Sequence, residues 1–146
     1  MSKKLLVIHG PNLNLLGQRE TDIYGSKTLN DINIAIENEA KKHALQIETY
    51  QSNNEADIID KLHEASTLAD GVILNAAAFT HTSIAIRDAI AAIKVPVIEV
   101  HLSNVHKREE FRKHSTISAV CIGQITGFGE DSYLLAVQAF NLQFSK

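Results

Sequence analysis

Five short apolar runs, each separated from the next by a segment with helical spacing, most strongly constrain what this chain can become. The runs fall at 5–8, 45–50, 71–74, 97–100 and 118–122. The helical stretches cover roughly 28–43, 54–67, 82–94, a short one near 107–114, and 130–143. Leu29, Ile32, Ile36 and Ala40 trace one apolar stripe in the first, and Ile58, Ile59 and Leu62 do so in the second. Leu134, Leu135, Val137 and Ala139 mark the last as a largely buried helix. Helical crossovers join parallel strands, and right-handed βαβ units bury the resulting sheet between two helical layers.

Five such strands make a flavodoxin-like three-layer α/β sandwich, strand order 2-1-3-4-5, the natural expectation for one domain spanning 1–146. With 45% hydrophobic and 21% charged residues, the chain has the composition of a soluble domain with a substantial core. A net charge of −3 argues against general attraction to nucleic acid or an anionic membrane. No apolar run approaches a membrane-spanning length. Lys3-Lys4 is followed by only four apolar residues before His9, which does not read as a secretory signal. The single cysteine, Cys121 in Ala119-Val-Cys-Ile122, reads as a buried strand thiol without a disulfide partner and fits a reducing cytoplasm.

The connection after the first strand, about 10–25, is far longer than such a fold needs there. It carries Asn12, Asn14, Arg19 and Tyr24. Loops at the carboxyl ends of parallel strands are where these sheets bind ligands, so this one reads as an active-site lid. The same rim collects His9-Gly-Pro-Asn12, Asn75-Ala-Ala-Ala-Phe-Thr-His81 and Glu99-Val-His-Leu-Ser-Asn104. Any one of these polar strand ends could be loop capping; three together favour a small-molecule site.

Glu99 and His101, two apart on a strand, project to the same face. A carboxylate there can set the imidazole's tautomer and favour its charged form, preparing a general acid. The plainer reading is a satisfied structural pair, against which Ser103 and Asn104 weigh. Backbone N–H groups at Leu102 and Ser103 are placed to bind an anion. A free phenol is a poor base at neutral pH, but a guanidinium beside it stabilises the phenolate. Arg19 and Tyr24 could therefore form such a base, or be an exposed arginine and a packing tyrosine. Thr82 or Ser83 suits a helix cap, and His81 could meet substrate hydroxyls. Arg87-Asp88 reads as an exposed pair or subunit contact, and Arg108 or Arg112 could turn inward from a solvated segment. Asn12 and Asn75 divide evenly between strand-end capping and ligand binding.

In this order these residues resemble the type II 3-dehydroquinate dehydratases across essentially the whole chain. The blocks that carry the resemblance are 9–17 with Arg19, Tyr24 and Gly25; 75–83 with Ile86-Arg87-Asp88; and 99–104 with Arg108, Phe111, Arg112 and Ser115. Gly123-Gln-Ile-Thr-Gly-Phe-Gly129 and Tyr133 match the family's tail. The resemblance implies reversible dehydration of 3-dehydroquinate to 3-dehydroshikimate, in the shikimate pathway of aromatic amino acid biosynthesis. It implies Tyr24 as the base, Arg19 as its promoter, Asn12 as holder of the water that supports an enolate-like intermediate, and His101 as the acid oriented by Glu99. Asn75, His81 and Arg112 then hold substrate hydroxyls, while the Leu102 and Ser103 amides hold its carboxylate. It further implies a homododecamer of four trimers, with Asp88 reaching a neighbouring site, and no metal or organic cofactor.

Thr21 stands where the family often has proline, Ala76-Ala77 where Pro-Gly is common, and Phe79 where tyrosine is common. Asn12, Arg19, Tyr24 and His101 are all present. A flavin- or phosphate-binding module is the main rival, but it would want a Ser/Thr/Gly-rich loop where Asn12-Leu-Asn-Leu-Leu16 stands. A phospho-receiver would want aspartate in place of Asn75. The seven histidines show no standard metal-ligand spacing, which weakens a metal hydrolase.

Overall fold

A computed structural model describes residues 2–146. The strands are β1 (Lys4–His9), β2 (Gln46–Gln51), β3 (Gly71–Asn75), β4 (Val97–His101) and β5 (Gly123–Thr126). All pair in parallel, in the expected order β2-β1-β3-β4-β5. The helices are α1 (Thr21–Tyr24), α2 (Leu29–Lys42), α3 (Glu55–Leu68), α4 (Ile84–Ala92) and α5 (Asp131–Phe144).

Alternation along the central strands sorts the core into two layers. Leu5, Val7, Ile73, Ile98 and Val100 pack with Ile32, Ile36 and Ala40 of α2 and with Tyr133, Ala136, Val137 and Phe140 of α5. Leu6, Ile8, Val72, Leu74 and Val97 pack on the other face with Ile58 and Leu62 of α3 and Ile86, Ala89 and Ile90 of α4. The first two apolar stripes are thus as expected, whereas the buried face of α5 is 133/136/137/140 and Leu135 is 38% exposed. Both stripes have helical spacing, so the sheet rather than the local pattern selects the one that is buried.

Helix starts follow local chemistry. Thr28 and Asp31 form a reciprocal capping box on α2, and Asn54 accepts from Ala56 N–H on α3. Ser83 caps α4 by accepting from Ile86 N–H at 2.9 Å, and its hydroxyl donates to the Glu55 carboxylate. The anticipated helix near 107–114 resolves into two 3₁₀ turns, Val105–Lys107 and Glu110–Lys113.

The fifth strand lies at 123–126, not at 118–122. Residues Ser118–Val120 form a 3₁₀ turn because the Ser115 hydroxyl accepts from the N–H groups of Ile117 and Ser118, at 3.2 and 3.0 Å. The apolar run marks packing of Ile117, Val120 and Cys121 against the α3–α4 layer. The real strand is a half-exposed edge and needs little apolar character. Cys121 is therefore a half-buried turn residue. Burial, and then the nearby Glu99 charge, pushes its thiol up to about 12.

At the end of β1 the backbone comes very close to β3. Gly10 N–H donates to Asn75 O at 2.7 Å, and a Cβ on Gly10 would meet the Ala76 carbonyl at 2.7 Å. The 10–25 connection is anchored at its near end, where Leu13 and Leu16 are buried in the α2–α5 layer. Its far end, Thr21–Tyr24, is one exposed or half-buried helical turn. Among the described residues no helix is long and apolar enough to cross a membrane.

Candidate active site

The carboxyl ends of β1, β3 and β4, with the 10–25 connection, line one cleft. Asn12 adopts a left-handed backbone (φ 69°), braced by its N–H donating to Asn53 Oδ1 at 2.9 Å, and lines this cleft. Further along the 10–25 connection, the Arg19 guanidinium carbon lies 5.1 Å from the centre of the Tyr24 ring. Arg108 approaches the same ring, also at 5.1 Å, so the phenol sits against two cations. The Arg108 Nη1 donates to Ser103 Oγ at 3.2 Å, which ties this second cation to the β4 rim. Arg108 was readable only as one of two arginines that could turn inward; both Arg108 and Arg112 line the cleft.

Facing them is the pair at the end of β4. His101 Nε2 lies 2.5 Å from Glu99 Oε2, with Glu99 fully buried and His101 only 7% exposed. Ser115 Oγ donates to the same carboxylate (3.1 and 3.0 Å to the two oxygens), and Gln124 Nε2 donates to Oε2 at 3.1 Å. Burial alone raises the Glu99 carboxyl, but the His101 hydrogen bond and charge, with Gln124 and Ser115, hold it below the usual carboxylate range. Gln124 reaches it because β4–β5 register places Gln124 opposite Glu99. No spacing in the chain points to that neighbour, since register is a property of the assembled sheet. With Nε2 committed to Glu99, Nδ1 is the His101 nitrogen left for a ligand.

His81 Nδ1 donates to the His114 carbonyl at 2.8 Å, leaving Nε2 as an acceptor for a hydroxyl. Burial lowers its pKa and keeps the ring neutral, despite the opposing hydrogen bond to His114. Asn75, Leu102 and Ser103 also line the cleft. Arg112 does so with its Nε held by Glu109 Oε1 at 2.9 Å. Asp88 is different: it is exposed on α4 and does not line the cleft of its own chain. Nor does it pair with Arg87, whose Nη1 donates to the Thr116 carbonyl at 2.8 Å. Among the described residues no three His, Cys, Asp or Glu side chains cluster as a metal-binding group.

Residues 3–141 match the profile of the family described as Dehydroquinase class II. The chain belongs to the class II dehydroquinases. It is 57% identical over 136 residues to the 3-dehydroquinate dehydratase of Geotalea daltonii, covering 93% of this chain and 94% of that one. Against the 3-dehydroquinate dehydratase of a Nitratiruptor species it is 57% identical over 143 residues, covering 98% and 92%. Its fold superimposes on the crystal structure of the type II dehydroquinase from Butyrivibrio crossotus with a TM-score of 0.94, at 46% identity and covering 96% and 98%.

Class II dehydroquinase membership gives meaning to one departure. Ala77, where the resemblance leads one to expect glycine, has φ 51°, a left-handed conformation in which an L-residue is strained. Ala77→Gly is expected to stabilise the fold by ~0.5–1 kcal/mol, after allowing for glycine's freer unfolded chain. Denaturant unfolding of the two proteins checks this; an unchanged or lower midpoint counts against strain at this turn.

Proposed function

We propose that this chain dehydrates 3-dehydroquinate to 3-dehydroshikimate through a Tyr24 phenolate base and a His101 general acid. Class II dehydroquinases are hydro-lyases of the shikimate pathway, and the activity follows from family membership. The observation that carries the mechanism is the pair of guanidinium groups, Arg19 and Arg108, each 5.1 Å from the Tyr24 ring. Guanidinium groups so placed lend positive charge to the ring as the phenol gives up its proton, Arg108 held by Ser103 and Arg19 paired with Glu20.

Tyr24 Oη takes a proton from the carbon beside the ketone, and the electron pair moves onto the ketone oxygen as an enolate. A water held by Asn12 donates to that oxygen. The enolate then re-forms the ketone, the ring double bond forms, and the C–O bond to the hydroxyl breaks. His101 delivers the proton that makes the departing group water, while Glu99 holds the imidazole in place. Asn75, His81 and Arg112 hold substrate hydroxyls, and the N–H groups of Leu102 and Ser103 hold the carboxylate. No cofactor enters this sequence of steps.

Asp88 belongs to this reading as a residue donated to the site of a neighbouring copy in a trimer, four of which make a dodecamer. In support, Ile84 is 66% exposed one turn before the exposed Asp88, an apolar and acidic ridge on α4 suited to another copy. A cytoplasmic location, read from the lone Cys121, completes it. The test is enone absorbance appearing from 3-dehydroquinate, with Asp88→Ala assayed for activity and hydrodynamic size. Turnover by the native chain is expected, and Asp88→Ala is expected to shrink the assembly or raise KM. No enone would overturn the reaction; unchanged size and kinetics would overturn the shared site.

A further inference from the structure

Below the cleft floor a continuous chain of hydrogen bonds, buried at its centre and part-buried at its two ends, runs between the helical layer and the β3 corner. Ala77 N–H donates to Asn75 Oδ1 at 3.0 Å, and Asn75 Nδ2 donates to Tyr133 Oη at 3.1 Å. Tyr133 Oη lies 2.8 Å from His9 Nδ1, and His9 Nε2 lies 2.8 Å from Asn33 Oδ1. His9 and Tyr133 are fully inaccessible, and Asn75 is 3% exposed. The chain joins β1, α2, α5 and the end of β3, and none of its members is used up in proton transfer to substrate.

Its direction is set at one end. A backbone amide can only donate, so Asn75 must turn Oδ1 to Ala77 and Nδ2 to Tyr133. Tyr133 then accepts from Asn75 and must give its own proton to His9 Nδ1. That leaves His9 as the Nε2–H tautomer, donating to Asn33 Oδ1. Reversing any member would set two donors or two acceptors against each other in a dry interior, where an unmade hydrogen bond is most costly. Burial agrees with this state, holding His9 down at about 4 against the opposing Asn33 hydrogen bond, so the ring is neutral.

We propose that Tyr133 and His9 are positioning residues that lock the Asn75 amide so that its one unused N–H faces the cleft. With Oδ1 bound to Ala77 and one N–H bound to Tyr133, the second N–H is the donor that Asn75 offers a ligand. The substrate group that meets this N–H is an oxygen acting as acceptor. This rests on Asn75 being a substrate-holding residue, as in the function proposed above.

A double-mutant cycle separates this from a role in the core alone. Tyr133→Phe keeps the ring and removes the hydroxyl, and is expected to lower kcat/KM for 3-dehydroquinate by ~10-fold, chiefly through KM. In an Asn75→Ala background the same change is expected to cost less than ~2-fold, because its route to substrate is already gone. Equal losses in both backgrounds would overturn the proposal while leaving Asn75 as a substrate contact. A fully active Asn75→Ala single variant would overturn both. Neutron diffraction on the native protein needs no variant to fold. Deuterium on His9 Nε2, with the Tyr133 O–D directed at Nδ1, is expected; deuterium on Nδ1 in its place would refute the stated direction.

Discussion

Tyr24→Phe is expected to lower kcat for 3-dehydroquinate by on the order of 10³-fold, and His101→Ala to do the same. The phenylalanine ring can still occupy the space beside Arg19 and Arg108, each 5.1 Å from the Tyr24 ring in the native protein. Substrate binding should therefore persist, so the loss falls in kcat rather than KM. His101→Ala removes the imidazole and leaves the Glu99 carboxylate with Ser115 and Gln124 as its remaining donors. Steady-state assays, with circular dichroism and hydrodynamic size to show that the variants remain folded and assembled, check both. Full turnover by either variant removes that residue from the chemistry.

A second large effect concerns stability rather than turnover. His9 has its pKa lowered by burial from 6.5 to about 4, partly opposed by the Asn33 hydrogen bond. Between those values the unfolded chain binds a proton that the folded chain does not. Stability therefore rises with pH through this window, is fully present above it, and is lost as pH falls through it. The contribution from this one group is about 3 kcal/mol. Urea midpoints measured from neutral pH down to about pH 4.5 should fall steeply. In His9→Gln, whatever its own stability, the slope over that window should be shallower; equal slopes would show that His9 is not the group responsible. Glu99 has the same sign, since its pKa is also depressed, but its contribution is lost only at more acidic pH, below the ordinary carboxylate range.

Much of this was legible before any coordinates. The Glu99–His101 pair follows from strand periodicity, and the length of the 10–25 connection marks it as part of the site, where Asn12, Arg19 and Tyr24 line the cleft. Strands one to four and the four long helices lie where apolar spacing placed them, to within a few residues. The fifth strand was misread because an edge strand buries little, while the neighbouring turn at 118–120 packs against a core layer and looks more strand-like than the strand. Local hydrophobicity records burial, and burial is not confined to regular elements.

Periodicity and parallel-sheet chirality leave few arrangements, so the α/β class, the expected strand order and most of the polar residues at one rim are readable along the chain. Its motif blocks also pointed to the family. That two arginines rather than one flank Tyr24, and that Ser115 and Gln124 hold Glu99, emerges from the folded chain. The same is true of His9, which lies not on the rim but beneath it, bonded to Tyr133 across 124 positions of the chain. Such contacts join residues far apart in sequence, and the register and helix packing that bring them together exist only once the sheet has formed.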